Sequence, residues 1–398
     1  MKRLLCFFDG TWNRPDDLDA LTNVVRLYRS VLPADTAGTV QIAHYEIGIA
    51  TDKAYGRFAF PVGAVGIGVT DRIQSGLRFL ATNYEPGDEI YLFGFSRGAY
   101  QARALGELIA LAGIPRDAGR DAVERCWRVY GDADGAGDVD AEALQSLRAE
   151  AHWPVRIRCI GVWDTVGNLG LPLATRKLTD LGFSLHHKGL SPLVDVGLHA
   201  LSIDEPRGPF SPTLWTMQPG EHLPYGQTIE QVWFPGCHAN VGGGYKDHAL
   251  SDISLLWMAE RVVATTGAAL DLVRLRRESV ADPLGEAVQP TSDTVFRFSD
   301  VVPFVRLVHQ DLGGLSLIRR GLLGGWRTSL LGRGEISINE RIHESALARL
   351  GKRVPVRRGD RSSYAVYRPR PLRRAISRKR VRRGFLRYRG PMPTGPMT

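Results

Sequence analysis

The stretch Ile90–Tyr100, IYLFGFSRGAY, decides the fold of this chain. An apolar and aromatic run leads into a Gly-x-Ser-x-Gly turn from Gly94 to Gly98, and the helix-forming sequence QARALGEL follows directly. A serine on such a strand-to-helix turn is lifted off the end of a sheet, where its hydroxyl is accessible. A Cβ at either glycine would collide with neighbouring backbone at so sharp a bend. The pattern predicts that Ser96 is a nucleophile.

The segments around this turn alternate between strand and helix patterns. Buried strands are predicted at 2–8, near 40–47, at 155–163 and at 230–234; helices are predicted after residue 22 or 23, around 70–84, around 141–151 and at 252–263. Such alternation favours a mostly parallel central sheet with helices on both faces. Together with the serine turn it predicts an α/β fold of the α/β-hydrolase type. Residues 168–228, rich in Gly and Pro, are predicted to be a cap-like insertion.

Three predicted strand ends carry side chains suited to nucleophilic catalysis. A serine hydroxyl needs a general base, and the base needs an acid that orients it. Ser96, Asp164 and His238 each follow a strand, and their order along the chain is the order that this fold uses. Functional groups collect beyond the carboxyl ends of parallel strands, so we predict these three as nucleophile, acid and base. Asp195 and Asp204 are the rival acids.

Each of these residues also has a purely structural interpretation. The pentapeptide around Ser96 is short enough to arise by chance, and an aspartate before a threonine, as at Asp164, suits a helix cap. The structural alternative for His238 is a histidine whose ring nitrogens hydrogen-bond to local backbone groups. His238 is favoured among the ten histidines because it follows a Val-Trp-Phe strand and precedes a Gly-Gly-Gly turn, which lets backbone approach a substrate closely.

The loop after the first strand, Asp9 to Asn13, is predicted to lie next to the strand that precedes Ser96, or one strand away from it. In the hydrolase arrangement an oxyanion is bound by the N–H after the nucleophile and by an N–H from an early strand–helix loop. The sequence therefore predicts an oxyanion hole from the backbone of Arg97 and of Gly10 or Thr11. Asp9 is predicted to order this loop by accepting hydrogen bonds rather than to act in catalysis or bind a metal.

Charge is distributed unevenly along the 398 residues. The net charge is +9, but residues 352–389 hold 16 Lys and Arg and a single acid, so the rest of the chain is net −6. We predict a catalytic domain over 1–350 and a basic, extended or disordered tail over 351–398. Such a tail is either merely solvated or binds an anionic membrane surface, with nucleic acid the less favoured partner. The alternative function is a catalytically silent fold that binds through this tail.

Composition excludes other classes of protein. The four cysteines are scattered, with neither a C-x-x-C pair nor metal spacing, so no disulfide framework, metal or cofactor is predicted. The first apolar run ends at Asp9 and is too short for the apolar core of a signal peptide. The sequence has no apolar stretch of about 18 residues, so no transmembrane helix is predicted. We expect synthesis in the cytoplasm; peripheral membrane association and export without a cleavable signal are both left open.

The motifs together resemble those of a known family. FFDGTWN, TNV, GFSRGAYQAR, GVWDTVG and WFPGCHANVGGGY are similar to motifs of uncharacterised α/β-hydrolase domains that include the catalytic domains of type VI secretion phospholipase effectors. The similarity runs from about residue 2 to 260 and weakens towards 350. It implies that Ser96, Asp164 and His238 match the family's serine, aspartate and histidine, and that the substrate is a lipid or other carboxylic ester. The family's commoner His-Ser-Asp reads His-Ala-Asn here, so position 240 carries no acid.

Overall fold

The computed structural model describes the chain except residues 12, 14, 17, 50–61, 133–139, 167–188, 208–209, 291–335, 370 and 373–398. Residues 168–188 and 208–209 of the predicted insertion, and the predicted tail after residue 372, therefore lie outside the described residues.

The elements are numbered in chain order. The strands are β1 (Arg3–Phe8), β2 (Gln41–Glu46), β3 (Glu89–Phe95), β4 (Ile114–Pro115), β5 (Ala151–His152), β6 (Ile157–Trp163), β7 (Val194–Ser202), β8 (Thr216–Met217), β9 (Thr228–Phe234), β10 (Ala287–Gln289), β11 (Ile336–Ser337), β12 (Glu340–Ile342), β13 (Arg353–Arg358) and β14 (Arg361–Val366). The helices are α1 (Asn23–Arg29), α2 (Val62–Asn83), α3 (Arg97–Ala112), α4 (Arg120–Asp132), α5 (Ala141–Ala149), α6 (His238–Gly242), α7 (Ala249–Thr266), α8 (Leu272–Glu278) and α9 (Glu344–Arg349).

A seven-stranded sheet forms the centre of the molecule, in the order β12-β9-β7-β6-β3-β1-β2. Every neighbouring pair in it is parallel, so the carboxyl ends of all seven strands lie at one edge. β3 lies between β1 and β6, which places Ser96 among three neighbouring strand ends. This is an α/β-hydrolase-like fold, as the serine turn and the strand–helix alternation predicted.

Helices cover both faces of the sheet, and this explains why its strands read as continuous apolar runs. Successive residues of one strand enter opposite layers: Phe8 and Leu92 pack on the side of α2 and α3, whereas Phe7 and Phe93 pack on the side of α1 and α7. The Phe7 and Phe93 rings stack at 5.0 Å across the β1–β3 pair. The two cores fix the register of β3 and so the position of the turn after it.

Several elements were not predicted from the sequence, and two of them, β7 and α4, show why. β7 is a central strand, yet it lies inside the segment predicted as an insertion, where neighbouring Gly and Pro conceal it. α4 lies in a stretch that reads as polar, because its charges occupy the exposed side while Val123, Cys126 and Tyr130 are buried at helical spacing. In addition, α7 begins at Ala249, three residues before the start predicted at residue 252.

The ordered body extends past the predicted boundary at residue 350. β13 and β14 form an antiparallel hairpin, and β13 also pairs with β10. Val354, Val356, Tyr367 and Leu372 are buried in one apolar cluster with α9. Composition concealed this hairpin, since its apolar residues alternate with arginines whose number dominates the sequence pattern. The start of the basic segment is therefore part of the fold.

Candidate active site

Ser96 occupies the turn between β3 and α3. Its backbone has φ 59° and ψ −118°, a conformation that residues with a Cβ rarely adopt and that costs about 1–3 kcal/mol. The end of β6 holds it there: Ser96 N donates to Trp163 O at 3.0 Å, and Ser96 O accepts from Val166 N at 3.3 Å. The side chain is largely buried at this edge of the sheet.

The two glycines of the turn lie against backbone. A Cβ on Gly94 would lie 2.2 Å from Gly98 O, and a Cβ on Gly98 would lie 2.1 Å from Phe8 O. Both distances are far inside van der Waals contact, so the turn admits no larger residue at either position. This close packing brings the start of α3 against the end of β1, where the loop that begins at Asp9 leaves the sheet.

A buried hydrogen bond joins Asp164, after β6, to His238, which begins α6 after β9. His238 Nδ1 donates to Asp164 Oδ2 at 2.6 Å. The fully buried carboxylate also accepts from the backbone N of Ser202 at 3.0 Å and from its Oγ at 3.2 Å. These donors compensate for the loss of water around the carboxylate. They also assign the imidazole proton to Nδ1, which leaves a lone pair on Nε2.

The imidazole of His238 is enclosed by aromatic rings. The Phe95 ring lies 4.6 Å from it at 34°, and the Phe210 ring lies 5.0 Å from it at 72°. Nε2 is buried and accepts no hydrogen bond within the described part of the chain. Burial lowers the pKa of His238, and the adjacent Asp164 offsets part of that effect. A neutral ring with an unengaged Nε2 is the state that a general base requires.

Neither rival acid reaches this ring. Asp195 lies at the start of β7, at the opposite edge of the sheet, where it is paired with arginines at the start of β6. Asp204 lies near the loop before α6, but it accepts from Gly236 N at 2.7 Å and from a tyrosine hydroxyl at 3.0 Å. Of the three candidates, the structure brings only Asp164 to His238.

Asp9 organises the loop after β1. Its buried carboxylate accepts from Gly10 N at 2.7 Å, Thr22 Oγ1 at 2.8 Å and the Tyr45 hydroxyl at 2.6 Å. Burial raises the pKa of Asp9 to about 6, against the opposing effect of these hydrogen bonds. The N–H of Gly10 is thus occupied, which argues against it as an oxyanion donor. The N–H of Thr11 makes no hydrogen bond to the described residues, so it is the remaining loop candidate.

Two residues that the sequence did not assign to the site hold the histidine loop. Asn23 is buried, and its Nδ2 donates to Val241 O at 2.9 Å. Glu205 accepts from His238 N at 3.1 Å and is paired with Arg207 at 2.6 Å. The signal for Asn23 was available in the TNV motif, where an asparagine follows a helix cap and precedes an apolar run. No local signal marks Glu205.

Two glycines of the turn after the histidine are packed closely against neighbouring residues. A Cβ on Gly242 would lie 2.0 Å from the Phe95 ring, and a Cβ on Gly243 would lie 2.7 Å from Asn23 N. Gly243 also has φ +84°. The amide of Asn240, at the position where the family commonly has an acid, accepts from two backbone N–H groups and so caps α6.

The described parts of the chain contain no group of three or more His, Cys, Asp or Glu side chains that could hold a metal ion. None of their helices has both the length and the apolar composition needed to cross a membrane.

The parallel sheet, the strained serine turn and the aspartate–histidine pair at the carboxyl edge of the sheet define an α/β-hydrolase-like domain. The family model described as "T6SS, Phospholipase effector Tle1-like, catalytic domain" matches residues 2–261. The chain belongs to this family.

Several known proteins are similar to part of this chain. Uncharacterized protein YEL023C of Saccharomyces cerevisiae is 27% identical over 244 residues, which are 55% of this chain and 33% of that protein. The chain thus spans about a third of this curated relative. An uncharacterized protein from Pseudomonas aeruginosa is 18% identical with a TM-score of 0.41, over 69% of this chain and 47% of that one. The Tle1 effector bound to the VgrG spike of the type 6 secretion system is 19% identical with a TM-score of 0.37, over 62% and 52%.

We predict that the His238 imidazole titrates below the ordinary value of 6.5, because burial disfavours the charged ring more than Asp164 favours it. At pH 7 the ring should be neutral and protonated on Nδ1. Long-range ¹H–¹⁵N correlation spectra recorded against pH report both properties. In Asp164→Asn the favourable charge is removed, so the midpoint should fall further. A wild-type midpoint above 6.5, or a proton on Nε2, would contradict this assignment.

Proposed function

We propose that this chain is a serine hydrolase that cleaves carboxylic esters of lipids through an acyl-enzyme. The observation that carries the proposal is the 2.6 Å bond from His238 Nδ1 to Asp164, which leaves Nε2 unengaged at the edge of the sheet where Ser96 lies. Membership of a phospholipase effector family supports ester hydrolysis and a lipid substrate. The aromatic rings beside His238 provide an apolar environment that suits an acyl chain.

In the proposed reaction, Ser96 Oγ attacks the ester carbonyl carbon while His238 Nε2 takes the hydroxyl proton. The carbonyl oxygen becomes an oxyanion, which the backbone N–H groups of Arg97 and Thr11 would stabilise. The intermediate collapses, and the leaving alcohol receives the proton from Nε2. Water then attacks the acyl-enzyme with His238 again as base, releasing the acid and restoring Ser96. Asp164 holds the Nδ1 proton throughout and stabilises the imidazolium.

Ser96 should react covalently with a fluorophosphonate probe, because such probes require an activated serine. We expect labelling of the wild type and none of Ser96→Ala. Ser30→Ala is the matched control, since Ser30 is also buried but its hydroxyl donates to the Leu27 carbonyl of α1, and this variant should label normally. Labelling is read by intact-protein mass spectrometry after circular dichroism has shown that each variant is folded. A folded wild type that stays unlabelled would refute the proposal.

The three acids should differ sharply in their effect on catalysis. Asp164→Asn should lower kcat by on the order of 10³–10⁴-fold with a small change in KM, because it disturbs the imidazole tautomer and leaves the imidazolium without its charge partner. Asp195→Asn and Asp204→Asn should stay within a few-fold of wild type. Rates are measured on a short-chain p-nitrophenyl ester and on phospholipid vesicles. If kcat fell only in Asp204→Asn, the acid that orients His238 would be Asp204 and not Asp164.

We also propose that the hairpin of β13 and β14 contacts an anionic lipid surface. Residues 352–368 hold six Lys and Arg against one acid, and all of β14 is exposed, including Tyr364 at 66%. Each cation near such a surface contributes about 1 kcal/mol, and a tyrosine suits the interface. Truncation near residue 352 is unsuitable as a test, because it would remove the buried Val354, Val356 and Tyr367 from the core. Substitution of exposed side chains avoids that damage.

Neutralising Lys352 and Arg361 to Gln should weaken binding to phosphatidylglycerol-containing vesicles by about 30-fold, the equivalent of about 2 kcal/mol. The matched control neutralises Arg128 and Arg277, which are exposed on α4 and α8, and should change binding little. Vesicle co-sedimentation at two salt concentrations provides the measurement. If both double variants weakened vesicle binding equally, binding would depend on net charge alone, and the proposed contact of the hairpin would be refuted.

A further inference from the structure

His199 is a buried histidine that the proposed chemistry does not use. It lies within β7 and is completely buried. β7 lies between β6 and β9, and His199 is opposite Val162 on β6 and Gln231 on β9. Its ring lies 5.4 Å from the Trp215 ring at 66°. Burying a polar ring is costly unless its nitrogens are hydrogen-bonded, so the partners of the two nitrogens show what this ring holds together.

Gln231 determines which atom of its amide faces the His199 ring. The amide Nε2 of Gln231 donates to Trp215 O at 2.9 Å and to Ile338 O at 2.8 Å, and its Oε1 accepts from Trp215 N at 2.8 Å. Carbonyl oxygens only accept and a backbone N–H only donates, so the amide has a single orientation. Oε1 is thus the atom that lies 3.3 Å from His199 Nδ1, and Nδ1 donates to it.

The opposite nitrogen of His199 holds the turn after β6. Nε2 accepts from Thr165 N at 3.2 Å, which requires a lone pair on this nitrogen. The two contacts agree, because a ring that donates from Nδ1 and accepts on Nε2 is one tautomer of neutral imidazole. Ala200, the next residue of β7, accepts from Asp164 N at 2.7 Å. Two consecutive residues of β7 therefore hold two consecutive N–H groups of the turn.

The turn at 164–166 connects the proposed acid to the proposed nucleophile. Asp164 has φ 43°, which lies in the left-handed region that residues with a Cβ rarely adopt. The same turn supports the serine turn, because Val166 N donates to Ser96 O at 3.3 Å. Such strain persists only where the surrounding structure determines it. The bond from the Thr165 N–H to the His199 ring, between these two positions, supplies part of that support.

We propose that His199 is a positioning residue for the ester hydrolysis: through the N–H of Thr165 it fixes the turn that carries Asp164. This role rests on the proposed function. Without an acceptor at Nε2, the buried Thr165 N–H loses its partner, and the turn relaxes towards an ordinary backbone conformation. Asp164 then no longer meets His238 Nδ1 in the geometry that catalysis requires. Because alignment of the reacting groups is what is lost, kcat should fall with little change in KM.

The tautomer of His199 is tested on the wild type, and this test does not depend on activity. Long-range ¹H–¹⁵N correlation spectra at neutral pH should show a neutral ring with its proton on Nδ1. Loss of the signals in the spectrum of His199→Gln assigns them. A proton on Nε2, or on both nitrogens, would overturn the proposal, since the ring could not then accept from Thr165.

Two substitutions separate the contacts of the two ring nitrogens. His199→Gln places an amide oxygen near the position of Nε2 and keeps an acceptor for Thr165, whereas the shorter His199→Asn reaches only the position of Nδ1. His199→Asn should lower kcat about tenfold or more with KM within about threefold of wild type, and His199→Gln should recover most of that loss. Rates are measured on a short-chain p-nitrophenyl ester after thermal unfolding has shown that each variant is folded. Equal rates in the two variants, or a change confined to KM, would overturn the proposal.

His343→Asn is the matched control. His343 is also buried, but its Nδ1 accepts from Ser345 N at 3.2 Å at the start of α9, so this variant should keep wild-type rates. If the wild type hydrolyses no ester, the proposed function fails, and the positioning role is measured on His238 instead. The low-field proton resonance of its bond to Asp164 should then be lost in His199→Asn and retained in His199→Gln. Persistence of that resonance in both variants would overturn the proposal.

Discussion

The carboxylate of Asp164 is fully buried at the end of β6, and much of the geometry of the site follows from how that group is accommodated. A buried carboxylate without donors is strongly unfavourable. Its donors come from two other strand ends: Ser202 closes β7, and His238 follows β9. Because β7 pairs with both β6 and β9, these donors reach Asp164 only when the three strands are in register. Satisfying one buried carboxylate therefore couples assembly of the sheet to the position of the imidazole.

Backbone strain accompanies this arrangement on two neighbouring strands. Ser96 has φ 59° and Asp164 has φ 43°, and each is fixed by a hydrogen bond to the next strand end: Ser96 N to Trp163 O at 3.0 Å, and Asp164 N to Ala200 O at 2.7 Å. Strained residues persist only where the surrounding structure determines them. Here the pairing of β3, β6 and β7 provides that support. The two unusual conformations therefore follow strands that are paired on both sides within the sheet.

The elements predicted from the sequence were those whose own residues carry a clear pattern. β1, β3, β6 and β9 are apolar runs ended by turn residues, and each of the last three leads to a predicted site residue. Choosing Asp164 over Asp195 and Asp204 required strand register, because it depends on which strand end faces His238. Choosing between Gly10 and Thr11 required knowing that Asp9 takes the Gly10 amide. The β7 strand and the hairpin after residue 350 were concealed by composition, since Gly, Pro and Arg outweigh their buried residues in the pattern.

His238 lies between two buried carboxylates, but only one of them hydrogen-bonds to its ring. Asp164 bonds Nδ1, whereas Glu205 bonds the backbone N–H and is itself paired with Arg207. Glu205 raises the pKa of the imidazole and Arg207 lowers it, so the charges of the pair act in opposite directions while Glu205 anchors the loop. Burial and Asp164 are then left as the main opposing influences on the ring. The histidine loop is thus held by an ion pair whose opposing charges limit its effect on the protonation equilibrium of His238, which the proposed role as general base requires near neutral pH.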